Sequence, residues 1–515
     1  MTAKVLMVQG TSSSAGKSLL VTALCRIYAR RGIKVAPFKA QNMSNNAAVC
    51  ADGSEIGRAQ ALQAAAAGLA PSVDMNPVLI KPEADSRSQV ILMGRPWNTL
   101  EAKTYYEKKE ILWEHVTAAL DRLRDAYDLV IIEGAGSAAE INLRRGDIVN
   151  MAVARYANAP VLLIGDIDRG GIFAQLLGTL WLLDPDERAL VRGLVVNKFR
   201  GDLALFSDGV QILEEKGDVP VLGVVPYLKN LNLPDEDAVS VEESLHKVEP
   251  LRHEDTENQN LCASVSQWLG LEIVVLALPR ISNFDDFDPL KAESGVTVRY
   301  VSSASEFGNP NAVIIPGTKS TIADLDWLRQ TGLAEAVTKF VKNGGAVVGI
   351  CGGYQMLGEV ITDPHHVESK DERISGLGLL PVRTEFSTEK STFQVQAHIR
   401  NKNGWMSRLD KSIVNGYEIH MGETPSQTAW LEIASRTGDQ VKVPDGSVSE
   451  DGKIWGCYLH GIFVNDGFRH AWLESLGWRG GGTSQSEIFN QSLELLAGFF
   501  FCRPGKNYSR NWFHI

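Results

Sequence analysis

Two segments of the 515-residue chain combine residue types that suit chemistry. The first is a loop of small residues between an apolar run and an amphipathic stretch, and its members are Gly10, Thr11, Ser12, Ser13, Ser14, Ala15, Gly16, Lys17 and Ser18. Small residues let backbone N–H groups curl around phosphate oxygens, and the following helix adds partial positive charge. In this pattern Lys17 bridges the outer phosphates and Ser18 offers a hydroxyl to Mg²⁺. The loop predicts a site for ATP with Mg²⁺, and a serine-rich turn is the alternative.

Polar side chains follow strand-like runs of the first half, at points where ligands bind in parallel sheets. Glu133 ends an apolar run and is expected to be a Mg²⁺ ligand or a catalytic carboxylate, with a solvated strand end as the alternative. Lys39 is expected to stabilise charge on an acyl phosphate. Asp166 and Asp168 are expected to face the substrate, and Asn197 to contact adenine. A surface position for Lys39, a helix cap for the aspartates and a turn for Asn197 stay open.

The second segment places a thiol between glycines. The β-branched run Ala346–Gly349 leads into Cys351, and Gly352 follows directly. Glycines allow the sharp strand-to-helix turn that lifts a nucleophile above a sheet, and N–H groups there, including that of Gly352, hold an oxyanion. His460 follows the run Ile454–Tyr458 and is expected to activate the thiol and to protonate departing ammonia. A buried core cysteine and a structural histidine are the alternatives.

Alternating strand-like and helix-length stretches must position these residues. In the first half the strand-like runs are Lys4–Val8, Lys34–Phe38, Leu129–Ile132, Pro160–Ile164, Gly193–Val196 and Val221–Val225, separated by helical stretches such as Lys17–Arg31 and Tyr105–Asp125. In the second half they are Glu272–Leu278, Val296–Val301, Ala312–Ile315, Ala346–Gly349, Gly376–Pro381, Thr392–Ile399 and Ile454–Tyr458. This alternation predicts the α/β class, with a parallel sheet covered by helices on both faces.

Composition limits the classes of protein and partner. The net charge of -11, from 51 basic and 62 acidic residues, argues against a general nucleic-acid binder, which needs a basic face. The six cysteines form no CxxC pair, so we expect a reducing cytoplasm rather than a disulfide framework. No apolar run reaches the roughly 18 residues of a membrane helix, and no signal-peptide cleavage site follows the first apolar run. The oligomeric state stays open.

Both chemical segments resemble known families. Five residues separate Gly10 from Gly16, one more than in the common phosphate loop, and this variant resembles dethiobiotin synthetase and its relatives, which phosphorylate or amidate carboxylates. The thiol elbow resembles the class I glutamine amidotransferases, and the segment Pro316-Gly317-Thr318 is similar to their oxyanion loop, with the Gly317 N–H as donor. Most of that class carries His-Pro-Glu, whereas Gly461-Ile462 follows the histidine here. The resemblance therefore implies a Cys–His dyad with slow, controlled glutaminase activity.

Together the two segments predict amidation of carboxylates. A carboxylate is a poor electrophile, and transfer of phosphate from ATP converts it to an acyl phosphate that ammonia can attack. Free ammonia at neutral pH is mostly converted to ammonium, which is not a nucleophile. Release of ammonia from glutamine inside the protein avoids this protonation. The expected organisation is a P-loop synthetase domain over 1–235, a polar linker over 236–270, a glutamine amidotransferase domain over 271–485, and a tail over 486–515 that packs on a domain.

Nearly the whole chain resembles the cobyric acid synthase family of cobalamin biosynthesis. The resemblance rests on the phosphate loop and on Phe38–Ser44, Asn76–Pro82, Glu133–Ser137, Asp166–Gly171, Asn197–Gly201, Pro316–Thr321 and Gly416–Gly422. It implies that the b, d, e and g carboxylates of adenosylcobyrinic acid a,c-diamide are amidated, each with one ATP and one glutamine. Cobalt would arrive within this corrinoid substrate. Basic residues near the synthetase motifs are compatible with a polyanionic substrate, namely Lys81, Arg87, Arg95, Arg144 and Arg145.

Two other readings of the sequence stay open. A cobyrinic acid a,c-diamide synthase would perform the same chemistry on other carboxylates. A partition-type ATPase switch with a degenerate glutaminase module would usually carry a second lysine early in the phosphate loop and an amphipathic membrane helix. Thr11 and Ser12 occupy the early loop positions here, which disfavours the switch.

Overall fold

The computed structural model describes residues 2–84, 87–144, 146–228, 231–234, 270–401 and 404–501. The chain divides into two compact units. The first unit comprises Met1–Ser44, Ser54–Glu236 and Phe489–Ile515, and the second comprises Asn45–Gly53 and Asp237–Ile488. Nearly all of the predicted linker 236–270, residues 502–515 of the predicted tail, and Arg145 lie outside the described residues.

The first unit is built around a parallel sheet. Its strands are β1 (Lys4–Gly10), β2 (Val35–Phe38), β3 (Gln41–Met43), β5 (Glu55–Gly57), β6 (Val78–Ala84), β7 (Arg87–Leu92), β8 (Arg95–Glu101), β9 (Leu129–Ser137), β10 (Val161–Asp166), β11 (Val191–Phe199) and β12 (Val221–Pro226), while β4 (Ala47–Val49) belongs to the second unit. The main sheet has the order β12-β11-β10-β1-β9-β2, and every pairing in it is parallel. A second sheet has the order β3-β6-β7-β8.

Helices accompany these strands. They are α1 (Lys17–Arg30), α2 (Arg58–Ala66), α3 (Ala102–Glu107), α4 (Lys109–Ala126), α5 (Met151–Ala157), α6 (Ile172–Leu182), α7 (Pro185–Arg188) and α8 (Ser207–Gly217). Strands buried on both faces read as continuous apolar runs, and Val161–Asp166 is buried at every position. The central position of β1 brings the carboxyl ends of β1, β9 and β10 to one edge of the sheet, where ligands bind in such folds.

The second unit also contains a mostly parallel sheet. Its further strands are β13 (Leu271–Leu276), β14 (Val296–Val301), β15 (Ala312–Ile315), β16 (Ala346–Ile350), β17 (Val360–Thr362), β18 (Arg373–Ser375), β19 (Arg383–Ile399), β20 (Ile413–Glu423), β21 (Leu431–Arg436), β22 (Asp439–Asp445), β23 (Ser447–Val448) and β24 (Ile454–Cys457). The sheet order is β14-β13-β15-β16-β24-β23, in which only β23 is antiparallel. A second sheet has the order β18-β17-β19-β21-β22, and β20 pairs with β19.

Helices also accompany the strands of this unit. They are α9 (Asp288–Lys291), α10 (Thr321–Gln330), α11 (Leu333–Lys342), α12 (Gly352–Leu357) and α13 (Asp466–Ser475), and α14 (Gln485–Phe501) begins here and continues into the first unit. A cluster of buried apolar side chains around β13, β15 and β16 forms the core. Two α/β units with parallel sheets confirm the predicted fold class.

Two predicted elements differ from the structure. Residues 376–381 form no strand, so that prediction is wrong: Gly376 packs so closely on the Gly358 carbonyl that a Cβ atom would overlap it, and Gly378 has a left-handed backbone. The predicted helix Tyr105–Asp125 is interrupted at Lys108 and forms α3 and α4. Within the described part of the chain, no helix is both long enough and apolar enough to cross a membrane.

Candidate active sites

The phosphate loop lies between β1 and α1 in the first unit. Ser14 and Gly16 both have left-handed backbones, with φ values of 56° and 99°, and Gly16 caps the N-terminus of α1. A Cβ atom at Gly16 would overlap the side-chain amide of Asn197, so only glycine fits. Asn197 donates from Nδ2 to the Ala15 carbonyl at 2.8 Å. The side-chain amide of Asn197 therefore supports the loop, and its expected contact with adenine stays a prediction.

The side chain of Lys17 folds back over the phosphate loop that precedes it. Its Nζ donates to the carbonyls of Ser12 at 2.9 Å and Gly136 at 3.0 Å. A Cβ atom at Gly10 would lie 2.9 Å from this Nζ, which explains the glycine at the first loop position. The structure thus holds the ammonium against the curled backbone, where it suits a phosphate chain.

Glu133 is the centre of a buried polar cluster at the carboxyl end of β9. The hydroxyl of Ser18 and the Nζ of Lys39 each lie 2.9 Å from Oε1, and Nε2 of Gln63 donates to Oε2 at 2.5 Å. Glu133 is 1% exposed and Lys39 is 5% exposed, so each charge compensates the other in a place poor in water. Ser18, Lys39 and Glu133, which the sequence analysis selected separately, are therefore in direct contact.

Gln63 was missed in the sequence. It lies on the alanine-rich helix α2 and is fully buried against Glu133. A buried amide needs a hydrogen-bond partner, so Gln60 and Gln63 among the small apolar residues of this helix are a usable signal. The position of Gln63 next to Glu133 nevertheless depends on how α2 packs, which no local pattern gives.

Asp166 and Asp168 are bound by basic side chains from the end of β11. Nζ of Lys198 lies 2.8 Å from Asp166 Oδ2, and Nε of Arg200 lies 2.6 Å from Asp168 Oδ1. The hydrogen bond from Arg200 lowers the pKa of Asp168. Neither aspartate caps α6, whose N-cap is Gly171 without a side-chain cap. Both lie at the ligand-binding edge of the sheet, where their role toward substrate stays a prediction.

Basic residues expected near the substrate have partners of their own. Lys81 forms a buried ion pair with Glu55. Arg144 forms ion pairs with Asp184 and Glu187, at 2.8 and 3.0 Å. These lysine and arginine charges are therefore largely compensated within the protein.

Cys351 lies at a sharp turn between β16 and α12 in the second unit. Its backbone has φ 51° and ψ -111°, a conformation that few non-glycine residues adopt. A Cβ atom at Gly353 would overlap the Ile315 carbonyl, so the glycine lets the turn pack on β15. This is the elbow that the glycine pattern predicts.

His460 is paired with a carboxylate. Its Nδ1 lies 2.6 Å from Oδ2 of Asp286, and the other carboxylate oxygen accepts the N–H of Gly461 at 2.8 Å. Asp286 lies in the 3-10 turn Phe284–Phe287, which follows β13. The expectation of a Cys–His dyad, drawn from the missing glutamate after the histidine, is thus corrected to a Cys351–His460–Asp286 arrangement.

Asp286 was missed because it is 174 residues away from His460. The only sequence signal is a pair of adjacent aspartates, Asp285 and Asp286, soon after a buried strand. Both lie at the carboxyl side of β13, on the same edge of the sheet as the elbow and the histidine. Strand order, and not sequence proximity, brings them together.

Electrostatics favours the charged form of the histidine. Burial alone would lower the pKa of His460, but the negative charge of Asp286, and next the interaction with Cys351, raise it to about 10. An imidazolium between a thiol and a carboxylate stabilises the thiolate, which is the nucleophilic form of cysteine.

Both predicted oxyanion residues lie beside this pair. A Cβ atom at Gly317 would be 2.9 Å from Cε1 of His460, so the loop backbone approaches the ring closely. A Cβ atom at Gly352 would be 3.2 Å from the N atom of Thr318, which places the two glycine segments side by side. The two glycine segments therefore lie beside the histidine and beside each other, and the role of the Gly317 and Gly352 N–H groups as oxyanion donors stays a prediction.

Comparison with known proteins covers both units. A model of the CobQ/CobB/MinD/ParA nucleotide binding domain matches residues 6–241, and one of the CobB/CobQ-like glutamine amidotransferase domain matches residues 272–468. Cobyric acid synthase of Chloroflexus aggregans is 57% identical over 93% of both chains, and that of Roseiflexus castenholzii is 54% identical over 93% of both. Cobyric acid synthase of Dehalococcoides mccartyi strain 195 is 49% identical over 96% of this chain and 94% of its own. This chain belongs to the cobyric acid synthase family.

Proposed function

We propose that this enzyme converts the b, d, e and g carboxylates of adenosylcobyrinic acid a,c-diamide to carboxamides, using ATP and glutamine. The observation that carries the proposal is the Cys351–His460–Asp286 arrangement in a chain that also holds a formed phosphate loop and matches cobyric acid synthases over nearly its whole length. The thiol site supplies ammonia, and the phosphate-loop site activates the carboxylate.

The first unit would perform the phosphorylation. A carboxylate oxygen of the substrate attacks the γ-phosphorus of ATP, the bond to the β-γ bridging oxygen breaks, and ADP leaves. Lys17 compensates charge on the phosphates, and Lys39 compensates charge on the acyl phosphate. Ammonia then attacks the acyl carbon, loses a proton, and phosphate departs. One ATP is consumed for each carboxamide formed.

Mg²⁺ fits the residues around Glu133. The hydroxyl of Ser18 and the carboxylate of Glu133, 2.9 Å apart, are hard oxygen donors, and Mg²⁺ is usually held by one or two carboxylates together with substrate phosphates. When bound there, Mg²⁺ would neutralise phosphate charge. Gln63 and Lys39 would keep the carboxylate in place.

The second unit would release ammonia. The Cys351 thiolate attacks the carboxamide carbon of glutamine, and the resulting oxyanion accepts hydrogen bonds from the Gly317 and Gly352 N–H groups. The imidazolium of His460 gives its proton to the departing nitrogen, and a thioester remains. Water then attacks the thioester with His460 as base, so glutamate leaves and the thiol is regenerated.

We place this chemistry in the cytoplasm. Among the described residues, Cys25, Cys351 and Cys457 are buried and form no disulfide. A nucleophilic thiol must stay reduced to attack glutamine, and the cytosol maintains that state.

Mass spectrometry of the corrinoid product tests the proposal. Each conversion lowers the mass by the difference between OH and NH₂, so a corrin a,c-diamide incubated with enzyme, ATP, Mg²⁺ and glutamine should show one step for each of the b, d, e and g groups. Steps on cobyrinic acid alone would instead identify an a,c-diamide synthase. Glutamine-dependent ATP turnover with no change in any corrinoid would contradict the corrinoid substrate.

A further inference from the structure

The buried side chain of Gln63 has one polar atom that the described protein does not use. Gln63 lies on α2 and is 0% exposed. Its Nε2 donates to Oε2 of Glu133 at 2.5 Å, whereas its Oε1 has no hydrogen-bond partner within the described part of the chain. A buried acceptor that stays unpaired is costly, so this oxygen is suited to a donor that a bound molecule supplies.

The orientation of this amide follows from the chemistry of its neighbour. An ionised carboxylate only accepts hydrogen bonds, so the part of the Gln63 amide that faces Glu133 is its NH₂ group. The reverse orientation would place two acceptors against each other. The unused atom is therefore the carbonyl oxygen, which pairs only with a group that carries N–H or O–H.

Glu133 places this oxygen in the proposed phosphate-loop site. Oε1 of Glu133 lies 2.9 Å from the hydroxyl of Ser18 and 2.9 Å from Nζ of Lys39, while Oε2 holds Gln63. Ser18 is the residue proposed to serve Mg²⁺ with ATP, and Lys39 the residue proposed to serve the acyl phosphate. A single carboxylate thus joins Gln63 to the groups that would handle both phosphorylated reactants.

Ammonia is the reactant that fits a neutral acceptor at this position. It carries N–H groups as well as a lone pair, so an N–H can bind an amide oxygen while the lone pair stays available for the acyl carbon. The ionised carboxylate and phosphate groups of the other reactants offer only acceptors, which an amide oxygen cannot bind. The free atom of Gln63 therefore matches the nitrogen nucleophile.

The charges around Gln63 disfavour ammonium. Lys39 is 5% exposed and positively charged, and it already engages the carboxylate of Glu133. The Gln63 oxygen carries no net charge that could compensate a second buried cation, and an uncompensated buried charge is costly. The position therefore favours neutral ammonia, which is the nucleophilic form.

We propose that Oε1 of Gln63 binds ammonia in the phosphate-loop site and holds it for attack on the acyl phosphate. A C–N bond forms, the C–O bond to the phosphate breaks, and phosphate leaves with that electron pair and takes the proton that the nitrogen releases. This inference rests on the proposed function and adds to it a binding residue for the nitrogen nucleophile.

The test compares the Gln63→Met and Gln60→Met variants. Methionine keeps an unbranched side chain in the helix and removes the amide atoms. Gln60 is the matched control, because it is also on α2 and 0% exposed, but its oxygen already accepts from Nδ2 of Asn42 at 3.1 Å. With ammonium chloride as the nitrogen source, mass spectrometry of corrin a,c-diamide gives the KM for ammonium. The KM for MgATP and the ADP formed per carboxamide are measured in parallel.

In Gln63→Met the KM for ammonium should rise roughly two- to tenfold, the effect of one neutral hydrogen bond, with a smaller change in the KM for MgATP. More ADP should form per carboxamide, because water then competes better for the acyl phosphate. Gln60→Met should leave the KM for ammonium unchanged.

Three results would each overturn the proposal. They are an unchanged KM for ammonium in Gln63→Met, a rise in its KM for MgATP that equals or exceeds the rise for ammonium, and an equal rise for ammonium in Gln60→Met. The second result would assign Gln63 to the metal and nucleotide instead. Absence of ammonium-dependent corrinoid amidation in the wild type would contradict the proposed function itself, on which this inference rests.

The Gln63→Ala variant decides the question if Gln63→Met does not fold. Alanine is the best helix former and already occupies the three positions that follow Gln63 in α2. A raised KM for ammonium with a smaller change for MgATP would support the proposal, whereas an unchanged KM for ammonium would refute it.

Discussion

At the scale of single residues, both candidate sites rely on buried charges that compensate one another. Asp286 is 2% exposed and His460 is 1% exposed, and neither would be stable as an isolated charge. Glu133 and Lys39 form the corresponding pair in the first unit. Removing one member of such a pair costs more than its own contacts, because the other charge remains buried.

The Asp286→Asn variant should lose most glutaminase activity, and the pH dependence of its remaining activity should change. The carboxylate raises the pKa of His460, so its neutralisation should lower that pKa from about 10 toward the ordinary value of 6.5. The imidazolium is the active form, and therefore the alkaline limb of the kcat/KM profile should move to lower pH. We expect a rate loss of about two to four orders of magnitude.

The matched control is Asp285→Asn, the same change one residue earlier in the turn. It should leave the alkaline limb in place, because Nδ1 of His460 is bonded to Asp286. An Asp286→Asn variant with an unshifted pH profile would show that this carboxylate does not orient the histidine.

The Lys17→Ala variant should lose amidation with both glutamine and ammonium, since neither nitrogen source helps if the acyl phosphate does not form. Product formation by mass spectrometry and unstimulated glutamate release are the measurements. Lys34→Ala, at an exposed position before β2, is the control. ATP-driven amidation that persists in Lys17→Ala would contradict the phosphate-loop assignment.

At the scale of elements, each reactive side chain sits where a strand ends and the backbone turns sharply. Gly16 and Gly353 permit these turns, because a Cβ atom at either position would overlap a neighbouring group. An antiparallel bridge between Tyr417 and His460 holds the histidine segment against β20. Strand and turn together therefore determine the geometry of each site.

The Gly353→Ala variant should destabilise the second unit. Its methyl group would overlap the Ile315 carbonyl, and accommodation of overpacking typically costs about 1–3 kcal/mol. The midpoint temperature of thermal unfolding and the rate of glutamate release should both decrease. Gly178→Ala, in α6 with open space around it, is the control and should be neutral or stabilising by up to about 1 kcal/mol. Equal stability of the two variants would show that the elbow tolerates a side chain.

At the scale of the whole molecule, the two reactions belong to separate compact units. The phosphate loop and Glu133 lie in the first, and Cys351 and His460 lie in the second. Each unit contains its own parallel sheet and its own cluster of buried apolar side chains. A change confined to one site should therefore leave the chemistry of the other intact.

The Cys351→Ala variant should abolish amidation with glutamine and retain it with high ammonium. The thiol is required to release ammonia and has no part in phosphorylation of the substrate. Mass spectrometry with each nitrogen source checks this outcome. Loss of both activities in a variant with normal thermal unfolding would contradict the separation of the two sites.

Features determined by neighbouring residues could be predicted from the sequence. The strands Val296–Val301 and Ala312–Ile315 were predicted with the bounds they have, because β-branched residues are frequent in both short runs. The phosphate loop and the elbow at Cys351 were also predicted, because small residues at fixed spacing determine these turns locally. The prediction of a strand over 376–381 was wrong, because close packing of Gly376 on the Gly358 carbonyl overrides the apolar run.

The sequence by itself determined the two reactive segments, the α/β class and the family resemblance. Only the tertiary structure decided that Asp286 meets His460, that Gln63 meets Glu133, and that Asn45–Gly53 belongs to the second unit. The physical reason is that these meetings depend on the order of strands in a sheet and on how helices pack over it. Residues 174 positions apart in the chain leave no local pattern, yet parallel strands bring their carboxyl ends to one edge.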